Sequence, residues 1–155
     1  VGDAEAEDTD LLGPDPFIRE PFLWDFGKND KSQASWEEPK FSTDSAVVPF
    51  SRQKDDPGSM HNFYRKLISV RNASKALTFG EIDHAGINIA ETVSFQRIYQ
   101  GETVLVIHNV SDVEVTIPLT DQNSSFDEVV YDMNANSKLS GGELTLPAFS
   151  TVVLQ

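Results

Sequence analysis

The sequence predicts a mostly β chain, an antiparallel sandwich of Greek-key type preceded by an irregular stretch and one helix. Three observations point there. From Lys75 onward apolar and polar residues alternate in short runs broken by turn signals. Before them, a single stretch repeats its apolar residues at three- and four-residue steps. The first third of the chain shows neither period, yet it holds six of the eight prolines, both tryptophans and five of the ten phenylalanines.

The candidate strands are 76–82, 92–99, 103–109, 113–119, 127–132, 143–147 and 150–154. In 103–109, Val104, Val106 and His108 point to one face, and Leu105 and Ile107 to the other. In 113–117, Val113, Val115 and Ile117 alternate with Glu114 and Thr116. Gln100-Gly101, Ser111-Asp112 and Gly141-Gly142 mark turns. The aromatic residues beyond position 75 are Phe79, Phe95, Tyr99, Phe126, Tyr131 and Phe149, and most of them fall on core positions by this alternation.

The helix is expected over 56–72. Asp56 suits its cap and Pro57 its first turn, and Asn72 suits its end. Met60, Phe63, Tyr64, Leu67, Ile68 and Arg71 share a face. Upstream, Phe17, Phe22, Trp24, Trp36, Phe41 and Phe50 are too many large rings for a disordered tail. With no regular element near them, they require a surface from a larger body to cover them.

The charge of −13, from 25 acids against 12 bases, repels phosphate backbones and excludes nucleic acid as an expected partner. No apolar run is long enough to span a bilayer. The absence of cysteine excludes disulfides and thiolate metal sites. His61, His84 and His108 lack ligand spacing, and the adjacent acids Asp55-Asp56 and Glu37-Glu38 do not by themselves converge on a cation, so no metal site is expected in this chain. Asn72, Asn109 and Asn123 each open an Asn-x-Ser triplet.

Three segments together resemble the alpha-amylase superfamily, glycoside hydrolase family 13. The first is PDPFIREPFLWD, Pro14 to Asp25, where Arg19, Pro21 and Trp24 match an Arg, Pro, two residues and Trp arrangement. The second runs from Lys54 to Ile82, with Ser59, Tyr64, Lys66, Leu67, Ile68, Arg71, Asn72, Ala76, Leu77 and Gly80 in the family's order. The third is ETVLVIHNVSDVEVTI, matching at Asn109 and Ser111.

The resemblance implies that residues 1–75 are the end of a (β/α)8 barrel, the loop after its eighth strand and its last helix. Residues 76–155 would be the all-β domain that follows. It implies an enzyme that cleaves α-1,4-glucosidic bonds in starch and related glucans with retention, through a carboxylate nucleophile and a carboxylic acid about 5–5.5 Å apart. The family carries these acids on earlier barrel strands, so no catalytic residue is expected here and the chain alone is expected to be inactive. The expected partners are the remaining barrel segment and an α-glucan. Calcium is possible in the whole enzyme, with no cofactor expected in this chain. The setting is extracellular, with any export signal upstream of Val1. Arg19 and Trp24 are the candidate substrate contacts. Arg19 can donate to sugar hydroxyls or an active-site carboxylate, or pair with Asp15, Glu20 or a barrel acid. Trp24 can stack on a sugar ring or anchor its loop. An α-glucosidase or transglycosylase of the same superfamily, and a stand-alone carbohydrate-binding or cell-surface sandwich, are the alternative readings.

Overall fold

A computed structural model describes residues 20–28 and 30–155. The chain forms two compact units, Val1–Lys66 and Leu67–Gln155, so their boundary falls inside the main helix.

In the first unit, α1 (Phe50–Gln53) follows a long loop and leads to α2 (Met60–Ala73). The start of α2 lies four residues beyond the expected Asp56. Ser59 is the residue that closes it, its Oγ accepting from the Asn62 N–H at 3.2 Å and donating to the Gln53 carbonyl at 2.6 Å. The Asp56 carboxylate instead accepts from the Gly58 N–H at 2.9 Å, closing a turn that includes Pro57.

The second unit contains eight strands: β1 (Glu81–His84), β2 (Thr92–Tyr99), β3 (Glu102–Asn109), β4 (Val115–Pro118), β5 (Val129–Asp132), β6 (Lys138–Ser140), β7 (Glu143–Leu146) and β8 (Thr151–Leu154). They form a five-stranded sheet, ordered β1-β2-β3-β8-β5, and a three-stranded sheet, ordered β4-β7-β6. All pairings are antiparallel. Because β8 returns between β3 and β5, the topology is the Greek-key sandwich expected from the alternation.

The core lies between the sheets. Leu105, Ile107, Val152 and Leu154 from the large sheet meet Val115, Ile117, Leu144 and Leu146 from the small one. The large sheet is also covered on its outer face. There Val104, Val106, Tyr131 and Val153 pack with Ala76, Leu67, Val70 and Leu77 from the helical segments. Both faces of β3 therefore carry the residues that its alternation assigns to them.

Residues 76–82 are not one strand. Ser74 opens a short helix, α3 (Lys75–Phe79), with its Oγ accepting from the Leu77 N–H at 3.0 Å. The helix ends at Gly80, and only then does β1 begin. Gly80 has an ordinary φ of −66°, so left-handed backbone is not its reason for being there. Its Cα faces backbone: an added Cβ would lie 2.9 Å from the Ile98 carbonyl oxygen and closer still to that of Ala76. Val113 lies outside β4 and is exposed, and β6 lies where no strand was expected. Of the aromatic residues expected in the core, Phe126 and Tyr131 are buried, whereas Phe79 and Phe149 are exposed. Phe149 sits in the turn before β8 with φ +47°, so strand alternation does not reach it.

Asn109, 2% exposed, ties the loop after β3 to the loop after β7. Its Nδ2 lies 2.7 Å from the Val113 carbonyl and 2.8 Å from that of Pro147. Its Oδ1 accepts from the Ser111 N–H at 3.0 Å and hydroxyl at 2.8 Å. Both polar atoms of the amide are committed to this link. Asn123 is likewise buried, donating to the Ala85 carbonyl and accepting from Gln96.

Two substitutions test these junctions. Gly80→Ala is expected to destabilise the chain by about 2 kcal/mol or more, because backbone at the α3–β1 joint must move. Asn109→Ala is expected to cost about 2–3 kcal/mol, since buried loop groups lose their partners. Urea unfolding midpoints at constant slope check both.

Candidate functional site

The residues singled out for sugar contact lie in the first unit, in the loop leading to α1. Arg19 falls outside the described residues. The loop beyond it is held by two carboxylates. Glu20 Oε1 accepts from the Lys40 and Phe41 N–H groups at 2.8 Å, and Oε2 from the Ser42 N–H at 2.7 Å. Partial desolvation pushes the Glu20 carboxyl up. The Ser42, Phe41 and Lys40 N–H groups and the Ser42 hydroxyl act in the opposite direction, prevail, and hold it below the usual carboxylate range. This carboxylate is engaged by backbone.

Asp25 makes the second closure. It accepts from the Ser51 hydroxyl at 2.5 Å and from the Phe26 N–H at 2.9 Å. The Ser51 hydrogen bond is the main reason its carboxyl is lowered, followed by that from Phe26, with Arg52 and Lys54 adding to it. The strap is completed by backbone bonds from the Phe50 N–H to the Leu23 carbonyl and from the Ser51 N–H to that of Trp24.

Trp24 is half-buried within this closure. It meets Phe22 edge-on at 4.9 Å between ring centroids and Phe50 edge-on at 5.6 Å, and Phe50 in turn meets His61 at 4.9 Å. Within the first unit this is anchoring geometry, with both neighbours engaging the indole. Phe22, Trp36 and Phe41 behave differently: they are 56%, 65% and 59% exposed. Met60, Tyr64 and Ile68 form an exposed stripe at four-residue steps along α2, beside the buried-side residues Leu67 and Val70. The rings and the stripe make the apolar surface that the sequence expects to need covering.

The second unit offers clefts but no catalytic constellation among its described residues. One, of about 440 Å³, lies between the loop after β1 and the turn that follows β4, with Asn88, Asp121 and Gln122 on its walls. Among the described residues no three His, Asp or Glu side chains gather. No described helix is long and apolar enough to cross a membrane.

The family described as the Alpha-amylase SusG C-terminal domain matches residues 93–153, from the second residue of β2 to the third of β8. Alpha-amylase 3 of Dictyoglomus thermophilum is 28% identical over 142 residues, a match covering 92% of this chain and 28% of that protein. Alpha-amylase SusG of Bacteroides thetaiotaomicron is 26% identical, across 91% of this chain and 21% of that protein. This chain is similar to the C-terminal region of alpha-amylases.

The solved structures agree on the architecture of this alpha-amylase region. Eubacterium rectale Amy13B superposes with a TM-score of 0.60 at 26% identity, covering 78% of this chain and 23% of that one. Trehalulose synthase MutB from Pseudomonas mesoacidophila MX-45 shares the fold, with a TM-score of 0.70 at 24% identity over 88% of this chain and 25% of its own. The chain thus spans about a quarter of the length of the curated alpha-amylases it matches. The matches to the curated proteins reach beyond the sandwich into the loop and helix of the first unit, since they cover nine-tenths of the chain.

The two loop carboxylates make the first unit acid-sensitive in a defined direction. Both pKa values are lowered on folding, so the unfolded chain binds more protons at acid pH. Their contribution is complete above the ordinary carboxylate range of about 4–4.5 and is lost as pH falls through the lower folded values. Hydrogen exchange at the Lys40–Ser42 amides is therefore expected to lose protection as the solution is acidified through that range. Glu20→Gln is expected to remove most of that protection at neutral pH and to flatten its acid dependence.

Proposed function

We propose that this chain is the C-terminal part of an enzyme that hydrolyses α-1,4-glucosidic bonds in starch and related α-glucans with retention of configuration. The catalytic acids belong to a barrel portion that precedes it. In this reading, residues 1–75 complete the barrel and the sandwich caps it, stabilising the body that performs the chemistry. The observation that carries the proposal is the apolar surface of the loop and helix, Phe22, Trp36, Phe41, Met60, Tyr64 and Ile68, exposed in a chain whose sandwich core is complete without it. Two curated alpha-amylases match along nine-tenths of the chain yet are more than three times its matched length, which supports the reading that such a surface meets a larger body.

The retaining reaction places demands on the absent portion and few on this one. A nucleophile and a proton donor about 5–5.5 Å apart must face one anomeric carbon, which rigid strands achieve better than loops. The Glu20 and Asp25 carboxylates are committed to structural hydrogen bonds and are held ionised, so neither is suited to donate a proton to a leaving sugar. Arg19 and Trp24 approach the substrate side of the barrel in this reading, with Trp24 acting chiefly by anchoring the loop that bears Arg19. Calcium, where the enzyme uses it, belongs to the barrel portion, and the enzyme works outside the cell.

The expected outcome is that the 155-residue chain releases no reducing sugar from soluble starch, while the protein containing the preceding portion does. Proton NMR of its first products is expected to show the α-anomer before mutarotation. Turnover by the chain alone, or initial β-anomer from the longer protein, would refute the proposal.

A further inference from the structure

On the outer face of the large sheet, within the second unit, lies an apolar groove of about 290 Å³ walled by Leu67, Val70, Leu77, Phe95, Val106 and Val153. Arg97 reaches into its lining, and its Nε is enclosed without a hydrogen-bond partner among the described residues. An enclosed guanidinium nitrogen without an acceptor is costly. The neighbours in register offer none: Arg97 is flanked across the sheet by Ile82 on β1 and Val104 on β3. His108, also in the groove, is held to Thr151 Oγ1 at 2.8 Å, and burial pushes its pKa down, favouring the neutral ring.

The sequence around the helical residues that wall the groove carries charge of one sign. Between Asp56 and Glu81 the sequence holds Arg65, Lys66, Arg71 and Lys75 and no acid, in a chain of net charge −13. Arg71 lines the groove with Arg97. An apolar trough with two arginines and no carboxylate is complementary to an apolar segment bearing an acid. A second copy of the chain fits poorly, because a two-fold contact would set this basic surface against itself.

We infer that the groove receives an apolar, carboxylate-bearing segment of the same enzyme's barrel portion, whose acid closes on Arg97. This rests on the functional reading above and adds the chemistry of the contact. Arg97 would then be a docking residue, its fork donating to a carboxylate in surroundings from which water is excluded.

The inference makes one substitution act in opposite directions in two settings. Arg97→Met keeps the aliphatic stem and removes the charge. In the 155-residue chain it is expected to leave the melting temperature unchanged or raise it, since the enclosed Nε has no hydrogen-bond partner among the described residues. In the longer enzyme it is expected to lower the unfolding transition of this region by about 5 °C, because a carboxylate is left buried and unpaired. Arg97→Lys, which keeps the charge without the fork, is expected to recover part of that loss in the enzyme. A fall of equal size in both settings would place the partner inside the chain and overturn the inference. So would no change in either, or a concentration-dependent dimer that Arg97→Met disperses. Starch turnover by the unsubstituted enzyme tests the functional reading separately, since the sign of the shift does not depend on the substrate.

Discussion

Strand β3 must be buried on both faces, and the second unit is organised around that requirement. Leu105 and Ile107 are sealed by the small sheet, and Val104 and Val106 by the helical segments. A sandwich alone would satisfy only the first pair. The outer valines would stay wet, at roughly 25 cal/mol per Å² of apolar surface left exposed. Leu67, Val70 and Ala76 are therefore integral to the domain although they precede its first strand, and this is why the compact unit begins at Leu67 within α2. The Ser74 cap serves the same end. It restarts the helix after Ala73 so that Ala76 and Leu77 reach the sheet, and the Ser74 hydroxyl also donates to Glu102 at 2.5 Å.

The helix α2 consequently belongs to two surfaces. Its Leu67 and Val70 side is used by the sheet, while its Met60, Tyr64 and Ile68 side carries an unpaired apolar stripe. Leu67 and Val70 are partly buried within the second unit, and the stripe stays exposed. Within the first unit, the loop invests its polar groups in holding its own shape. The Glu20 and Asp25 carboxylates, the Asp44 carboxylate on the Gly27 N–H, and the Trp24–Phe50–His61 ring contacts fix a strap without a regular element. Such closure presents rings outward in fixed positions, which suits a loop whose apolar side meets another body.

The sheets were legible because their signal is local. A period of two needs only neighbouring residues, and the sides assigned to residues 104 to 107 hold in the structure. The failures have local causes as well. Leu77-Thr78-Phe79 alternates as a strand would, but the cap at Ser74 opens a helix that runs through these residues. Lys138–Ser140 is too short and too polar to stand out as a strand, and pairing with β7 creates it. Asn109 and Gly80 could be recognised by family pattern, but the reasons for them are tertiary: carbonyls from two loops around one amide, and an Ile98 backbone pressed against one Cα. Glu20 carried no signal, because its partners lie about twenty residues away and are backbone N–H groups that any residue supplies. Arg97 falls within the expected strand 92–99, yet that its Nε has no hydrogen-bond partner among the described residues is a tertiary fact the sequence does not carry.

Charge and hydrophobicity are segregated along the chain in a way that joins these observations. An acidic surface keeps a protein apart from its copies and from other acidic bodies. Here it is interrupted along α2 and α3, where bases and large apolar side chains occur without acids. If this interruption were merely a solvated helix face, bases would be expected opposite acids at i+4, as isolated helices favour, and polar residues would be expected at 60, 64 and 68. Neither holds. The enclosed Arg97 nitrogen adds the same asymmetry on the sheet side of the groove. A surface that is apolar, cationic and lacking acceptors is stable only against something apolar, anionic and supplied from elsewhere. The chain matches only 28% and 21% of the two curated alpha-amylases, so most of each of those proteins lies outside the matched region.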